Sequence, residues 1–141
     1  MLALAGCGPG ETPGGVGIRD GVPYFAFRLC PGEVVTRLDV ITADDDEQVW
    51  SAQLIAGRSG SAVLAWSGSP DYDTTGTLGR EFTDEQQDLN ADVAGVNGRS
   101  LGRWRFRLAD LRSGELLEGY NDNRYLPEEE LAAQDPTGCS G

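Results

Sequence analysis

Residues 102–109 alternate without a break. Arg103, Arg105 and Arg107 fall on one side, and Trp104, Phe106 and Leu108 on the other. Successive side chains of an extended strand point to opposite faces, so a charged row against an aromatic row marks a half-buried antiparallel strand. Other runs repeat the pattern. Residues 22–30 set Phe25, Phe27 and Leu29 against Tyr24, Ala26 and Arg28. Residues 34–43 set Val34, Thr36, Leu38 and Val40 against Val35, Arg37, Asp39 and Ile41. Residues 48–56 put Trp50, Ala52 and Leu54 on one face, and residues 61–66 add Leu64 and Trp66. Turn-forming segments divide these runs: Asp44-Asp45-Asp46-Glu47, Gly57-Arg58-Ser59-Gly60, and Arg112-Ser113-Gly114, which joins the run ending at 111 to residues 115–118 in a tight hairpin. Strands at about ten-residue spacing predict an all-β chain, an antiparallel β-sandwich of immunoglobulin-like type with about seven strands. Trp50, Trp66 and Trp104 belong to its core on this reading.

One or two short helices are expected beside the strands. Thr83-Asp84-Glu85-Gln86 has the form of a capping box ahead of Leu89 and Val93, four apart as on one helical face. Pro127-Glu128-Glu129-Glu130-Leu131-Ala132-Ala133 places proline and acids where a first helical turn favours them, and stops before Asp135-Pro136.

The 141 residues suit one domain. Gly8-Pro9-Gly10-Glu11-Thr12-Pro13-Gly14-Gly15 is too rich in glycine and proline to bury apolar surface. Residues 7–15 therefore read as a flexible tether, and residues 16–141 as the sandwich. Ahead of the tether stands Leu4-Ala5-Gly6-Cys7: an apolar residue, two small ones, then cysteine. This segment resembles the lipobox of bacterial lipoproteins, of the kind found in GC-rich Gram-positive bacteria, whose function as a group is not defined by the motif. The resemblance implies that Cys7 is acylated and becomes the first residue of the mature chain. Residues 1–6 would then be the remnant of a signal peptide, since a whole one needs a charged n-region and roughly 7–15 apolar residues. Two or more acyl chains give stable anchoring without a membrane span. The implied address is the outer face of the bacterial cytoplasmic membrane.

The chain has three cysteines. With Cys7 lipidated, Cys30 and Cys139 remain as an even pair in a compartment where disulfides persist. Their bridge would close a loop of about 110 residues and contribute on the order of 4–5 kcal/mol on the loop-entropy account. The rival reading is a buried thiol at Cys30 and a free thiol in the tail at Cys139.

With 11 basic and 23 acidic side chains the net charge is −12, which argues against nucleic acid as a partner. Every basic residue is arginine and there is no histidine, so histidine-based catalytic triads and histidine metal ligands are excluded. Gly57-Arg58-Ser59-Gly60-Ser61 is no nucleophile elbow. No acidic pair is singled out by its setting, and no cofactor is expected.

Three candidate sites stand against blander readings. Residues 99–112 hold five arginines and one aspartate, and the stripe Arg103, Arg105, Arg107 is a candidate anion-binding face; alternatively it is a solvated face paired across strands with acids such as Glu115 and Glu118. Asp71-Tyr72-Asp73-Thr74-Thr75-Gly76 begins like a calcium loop, with Asp71 and Asp73 as candidate ligands, but an EF-hand needs glutamate where Phe82 stands. Asp44–Glu47 and Asn121-Asp122-Asn123 are further oxygen-rich loops, and solubility alone accounts for all three. Tyr24, Tyr72, Tyr120 and Tyr125 are candidates to line a glycan or peptide groove.

The sequence thus points to a lipid-anchored extracytoplasmic binding or interaction module without catalysis, its partner the membrane through the anchor and an envelope protein or glycan. The alternatives are an accessory subunit of an envelope complex that binds by strand addition, and a histidine-free hydrolase using two carboxylates.

Overall fold

A computed structural model of the chain describes residues 12–76, 85–118 and 124–136. Ten strands are present among them: β1 (Gly14–Arg19), β2 (Val22–Phe27), β3 (Arg37–Thr42), β4 (Gln48–Leu54), β5 (Val63–Ala65), β6 (Tyr72–Gly76), β7 (Leu89–Ala94), β8 (Ser100–Phe106), β9 (Glu115–Leu117) and β10 (Tyr125–Pro127). They form two five-stranded sheets. Sheet A has the order β10-β9-β1-β2-β5 and sheet B the order β6-β4-β3-β7-β8. Every strand pair is antiparallel.

The all-β expectation holds, with ten described strands rather than about seven. β9 and β10 are three residues each, too short to display alternation. β1, β6 and β7 were hidden for other reasons. β1 begins at Gly14, inside the segment assigned to the tether. Its glycines are there for close approach: a Cβ on Gly14 would stand 2.4 Å from the Ala26 carbonyl oxygen, and one on Gly15 2.4 Å from that of Leu117. Asp20 and Gly21, both at positive φ, turn β1 directly into β2.

The helix expected after the capping box is replaced by β7. Leu89, Ala91 and Val93 all point into the core. A spacing of four is also an even number, so a helical face and a strand face share those positions; pairing with β3 and β8 decided for the strand. Thr83 and Asp84 of the box lie outside the described residues. The second helix is present as a six-residue 3-10 helix, Glu128–Ala133.

The inner faces meet through aromatic rings. Phe25 of β2 stacks on Trp50 of β4 (centroids 6.0 Å, interplanar 18°) and meets Phe106 of β8 edge-on. Phe27 packs on Trp104 at 4.9 Å, and Trp66 on Trp50 at 5.8 Å. All three tryptophans are buried, as the alternation predicted. The Trp104 indole N–H donates to the Gly14 carbonyl (3.1 Å), joining sheet B to sheet A. Among the described residues Trp50 Nε1 is the one buried side-chain polar atom without a hydrogen-bond partner.

The outer faces differ. That of sheet A is covered: Tyr24, Ala26 and Leu116 form a second apolar cluster with Ala65 and with Leu131 of the 3-10 helix. That of sheet B is polar, carrying Arg37, Asp39, Ser51, Asn90, Asp92, Arg103 and Arg105, of which Ser51 and Asn90 are buried.

Candidate functional site

The arginine stripe lies on that polar face, because Arg103, Arg105 and Arg107 alternate with the buried Trp104 and Phe106 and the half-buried Leu108. Its charges are already answered. Arg103 grips Asp92, its cross-strand neighbour on β7, through Nε–Oδ1 at 2.5 Å and Nη2–Oδ2 at 2.9 Å. Arg107 Nε donates to Asp88 Oδ1 at 2.6 Å, and Arg105 Nη2 reaches Asp88 Oδ2 at 3.4 Å. The hydrogen bond from Arg107, with the nearby charges of both arginines, holds the Asp88 carboxyl below its ordinary value. Glu115 and Glu118, expected as partners of the stripe, pair instead with Arg112 and Arg124. Further along the same face Arg37 bonds Asp39 at 2.8 Å, which also accepts from Gln48.

This is general among the described residues. Arg19, Arg37, Arg58, Arg99, Arg103, Arg105, Arg107, Arg112 and Arg124 each stand within ion-pair distance of a carboxylate. Arg28 donates to the Gln134 backbone carbonyl. A local excess of arginine in the sequence becomes a neutralised surface in the fold.

The segment read as a calcium loop is not a loop. Tyr72–Gly76 is strand β6, paired to β4 with Asp73 opposite Gln53 and Thr75 opposite Ser51. Asp71, just ahead of the strand, accepts from the Gly60 amide at 2.9 Å and faces Arg58 at 3.5 Å. Its carboxylate therefore fixes the turn before β5, while Asp73 points away into solvent. Among the described residues no group of three acids or cysteines is placed to hold a metal ion.

The three described tyrosines, Tyr24 and Tyr72 buried and Tyr125 half-buried, each spend their hydroxyl on a partner within the fold. Tyr72 donates to the Val35 carbonyl (2.8 Å) and accepts from the Ser61 amide (3.0 Å), tying the start of β6 to the approach to β3 and to the segment before β5. Burial pushes its hydroxyl pKa up. Tyr125 donates to the Asp110 carbonyl at 2.7 Å and carries the Arg112 guanidinium over its ring at 3.7 Å. Tyr120 lies outside the described residues.

Tyr24 heads a polar group that the sequence did not announce. Its hydroxyl donates to Glu128 Oε1. Arg19 Nη2 donates to Glu128 Oε2 at 2.6 Å, while its guanidinium lies 4.4 Å from the Tyr24 ring centroid. Burial, reinforced by the Glu128 carboxylate, pushes the Tyr24 hydroxyl up to about 12. The hydrogen bond from Tyr24, followed by Arg19, holds Glu128 below its ordinary value. Glu128 is 109 positions from Arg19, and no local motif links them. The group clamps the 3-10 helix onto sheet A; among the described residues both carboxylates whose pKa is displaced, Asp88 and Glu128, move down, the direction of a structural anion.

Cys30 follows β2 and is not a free thiol. Cys7 and Cys139 lie outside the described residues, as does Asn121-Asp122-Asn123. No described helix is long and apolar enough to cross a membrane. Comparison of the chain with family models, curated proteins and solved structures finds no match in any of the three.

Proposed function

We propose that this protein is an extracytoplasmic interaction module, lipid-anchored through Cys7 on the outer face of the bacterial cytoplasmic membrane, with no catalysis of its own. The observation that carries the binding half of this reading is the set of closed ion pairs. An enzyme built on carboxylates needs one of them kept protonated by its surroundings, so that acid and base roles separate. Here the displaced carboxylates, Asp88 and Glu128, are both stabilised as anions by arginine or tyrosine donors. What the fold offers a partner is backbone at its sheet edges, which favours the accessory-subunit form of the reading, binding by strand addition.

A bridge between Cys30 and Cys139 belongs to the same proposal. Arg28 donates to the Gln134 carbonyl at 3.2 Å, so the chain passes beside the end of β2 five residues before Cys139. Five extended residues reach roughly 17 Å, enough to return to Cys30. The N-terminal side passes there too, since the Arg28 amide donates to the Pro13 carbonyl at 2.8 Å. Lipidation of Cys7 is what assigns the bridge to Cys139.

An immunoglobulin-like affiliation is also proposed. In sheet B the order β4-β3-β7-β8 has the connectivity of the C′-C-F-G strands of a variable-type domain, and β1-β2-β5 resembles A-B-E. The hallmark cysteine pair between the sheets is absent, and the central tryptophan stands on β4.

The test is the intact mass of the protein made in a lipoprotein-processing bacterium from a gene that includes its upstream sequence. Acyl mass on an N-terminal Cys7, with no alkylatable thiol, is the expected result. An unmodified chain beginning at Met1 with three alkylatable thiols overturns the anchor and the bridge together.

A further inference from the structure

Among the described residues the four sheet edges are β10 and β5 in sheet A, β6 and β8 in sheet B. Three of them carry devices that natural sheets use against unwanted pairing. β10 is three residues long and ends in Pro127. β5 is equally short, and two of its amides are capped locally: Val63 N–H by Ser61 Oγ at 3.0 Å, Ala65 N–H by Ser69 Oγ at 3.1 Å. β8 carries Arg103 and Arg105, and its pairing with β7 is interrupted by a register shift at Val93/Ala94. β6 is the least protected: its first amide, that of Tyr72, is capped by the Ser69 carbonyl at 3.1 Å, and it carries one charge, at Asp73. Its five residues pair with β4 in unbroken register, include no proline, and expose Asp73, Thr74, Thr75 and Gly76. Threonine favours an extended backbone, and Asp73 is its single charge.

Resting on the interaction-module reading above, the geometry points to the outer edge of β6 as the place where a partner adds a strand, and to a partner segment that is extended and basic. The alternation of β6 dictates the chemistry of that segment. Asp73 and Thr75 continue the polar outer row of Gln53 and Ser51, with Thr75 Oγ1 bonded to Ser51 Oγ at 2.7 Å. Tyr72 and Thr74 continue the inner row of Leu54 and Ala52. A strand laid beside β6 therefore meets a carboxylate on its outer side and β-branched or aromatic groups on its inner side. Lysine or arginine alternating with valine or isoleucine fits both rows. A chain of net charge −12 attracts such a segment and repels a second copy of itself.

The probe is a synthetic nine-residue peptide of alternating lysine and valine, titrated into the isotope-labelled full chain and followed by amide shifts and hydrogen exchange. Perturbation and slowed exchange confined to residues 72–76 and their β4 neighbours are expected. Asp73→Lys, which removes an exposed side chain from a strand face, is expected to weaken the peptide about fivefold while leaving the fold intact. Perturbation centred on β8, or on the acidic turn at 44–47 with no protection at 73–76, overturns the assignment, as does no binding. Protection at 73–76 that grows with protein concentration in the absence of peptide assigns the edge to a second copy and overturns the basic partner. The anchor stands or falls separately, on the intact mass.

Discussion

Trp104 on β8 and Gly14 on β1 are 90 positions apart and share one hydrogen bond, from the indole N–H to the glycine carbonyl, at 3.1 Å. It is a polar strut through an apolar core, and it stands beside the packing of Phe27 on the same indole. Trp104→Phe keeps an aromatic ring there but strands the carbonyl and leaves part of the indole volume empty. The expected loss is about 2–3 kcal/mol. Urea unfolding is the check: the midpoint falls while the slope m stays constant.

Gly15→Ala tests close approach at the neighbouring position. The added methyl would stand 2.4 Å from the Leu117 carbonyl oxygen, a backbone atom of β9 that cannot swing aside. β1 and β9 must separate, at an expected cost of about 1–3 kcal/mol. Gly21, in the β1–β2 turn, has nothing within 4 Å of such a methyl, but its φ of +78° strains any other residue. A cost at Gly15 with faster hydrogen exchange around Leu117 would identify sheet separation, whereas a cost with β1–β9 exchange unchanged would contradict it.

These two sites show where the sequence was legible and where it was not. Long strands with one buried and one solvated face, such as β8, announce themselves, because side-chain direction follows directly from pleat. β1 did not, since Gly14, Gly15 and Gly17 have the composition of a linker, and only the Asp20-Gly21 pair before residues 22–27 signalled a hairpin. β7 was misread because Leu89 and Val93 satisfy both periods. The arginine stripe was visible as a stripe, but its neutralisation depended on Asp88 and Asp92, 15 to 19 positions upstream of the stripe's last residue, the one just ahead of β7 and the other on it, a strand the spacing had disguised as a helix. The Arg19–Tyr24–Glu128 group had no local signal at all, because its members meet only after β9 and β10 bring the C-terminal segment across sheet A.

That group gives a spectroscopic prediction. Glu128→Gln removes the carboxylate that helps keep the Tyr24 hydroxyl protonated, while burial, the larger cause, remains. The Tyr24 titration is expected to fall from about 12 toward, but not to, its ordinary value of 10. An alkaline absorbance titration of the tyrosinate band reads it, with Tyr24→Phe identifying the transition. An unchanged Tyr24 titration in Glu128→Gln would show that the hydroxyl does not depend on the carboxylate.

Stability should vary with pH in a definite shape. Glu128 and Asp88 are depressed below 4.5 and 3.8, so their contributions are present above those values and lost as pH falls through the lower folded ones. Tyr24 is raised, so its contribution is complete below pH 10 and lost as pH rises toward about 12. With no histidine in the chain, no side chain of that type titrates in between. Urea midpoints measured across pH 5–8 are expected to be flat, with an acid limb below about pH 4.5 that Glu128→Gln and Asp88→Asn each make shallower. A step between pH 5 and 8 would contradict this account.

The ion-pair lattice on sheet B is expected to matter little to stability despite its extent. Arg103, Arg105 and Arg107 are about half exposed, as their side-chain accessibilities of 56%, 58% and 46% show, so solvent and salt screen their pairs. Arg103→Gln should cost at most about 0.5–1 kcal/mol, because both ends of its fork are engaged with Asp92, and Arg105→Gln and Arg107→Gln should cost less. Replacing Asp92 and Arg103 together should cost little more than replacing either alone, as a double-mutant cycle would read. If these pairs instead stabilise the face by several kcal/mol each, raising the salt concentration will lower the urea midpoint of the parent protein steeply and that of the triple Arg→Gln variant hardly at all. The lattice would then be a structural element of sheet B, and its strands would depend on charge as well as on the aromatic core beneath them.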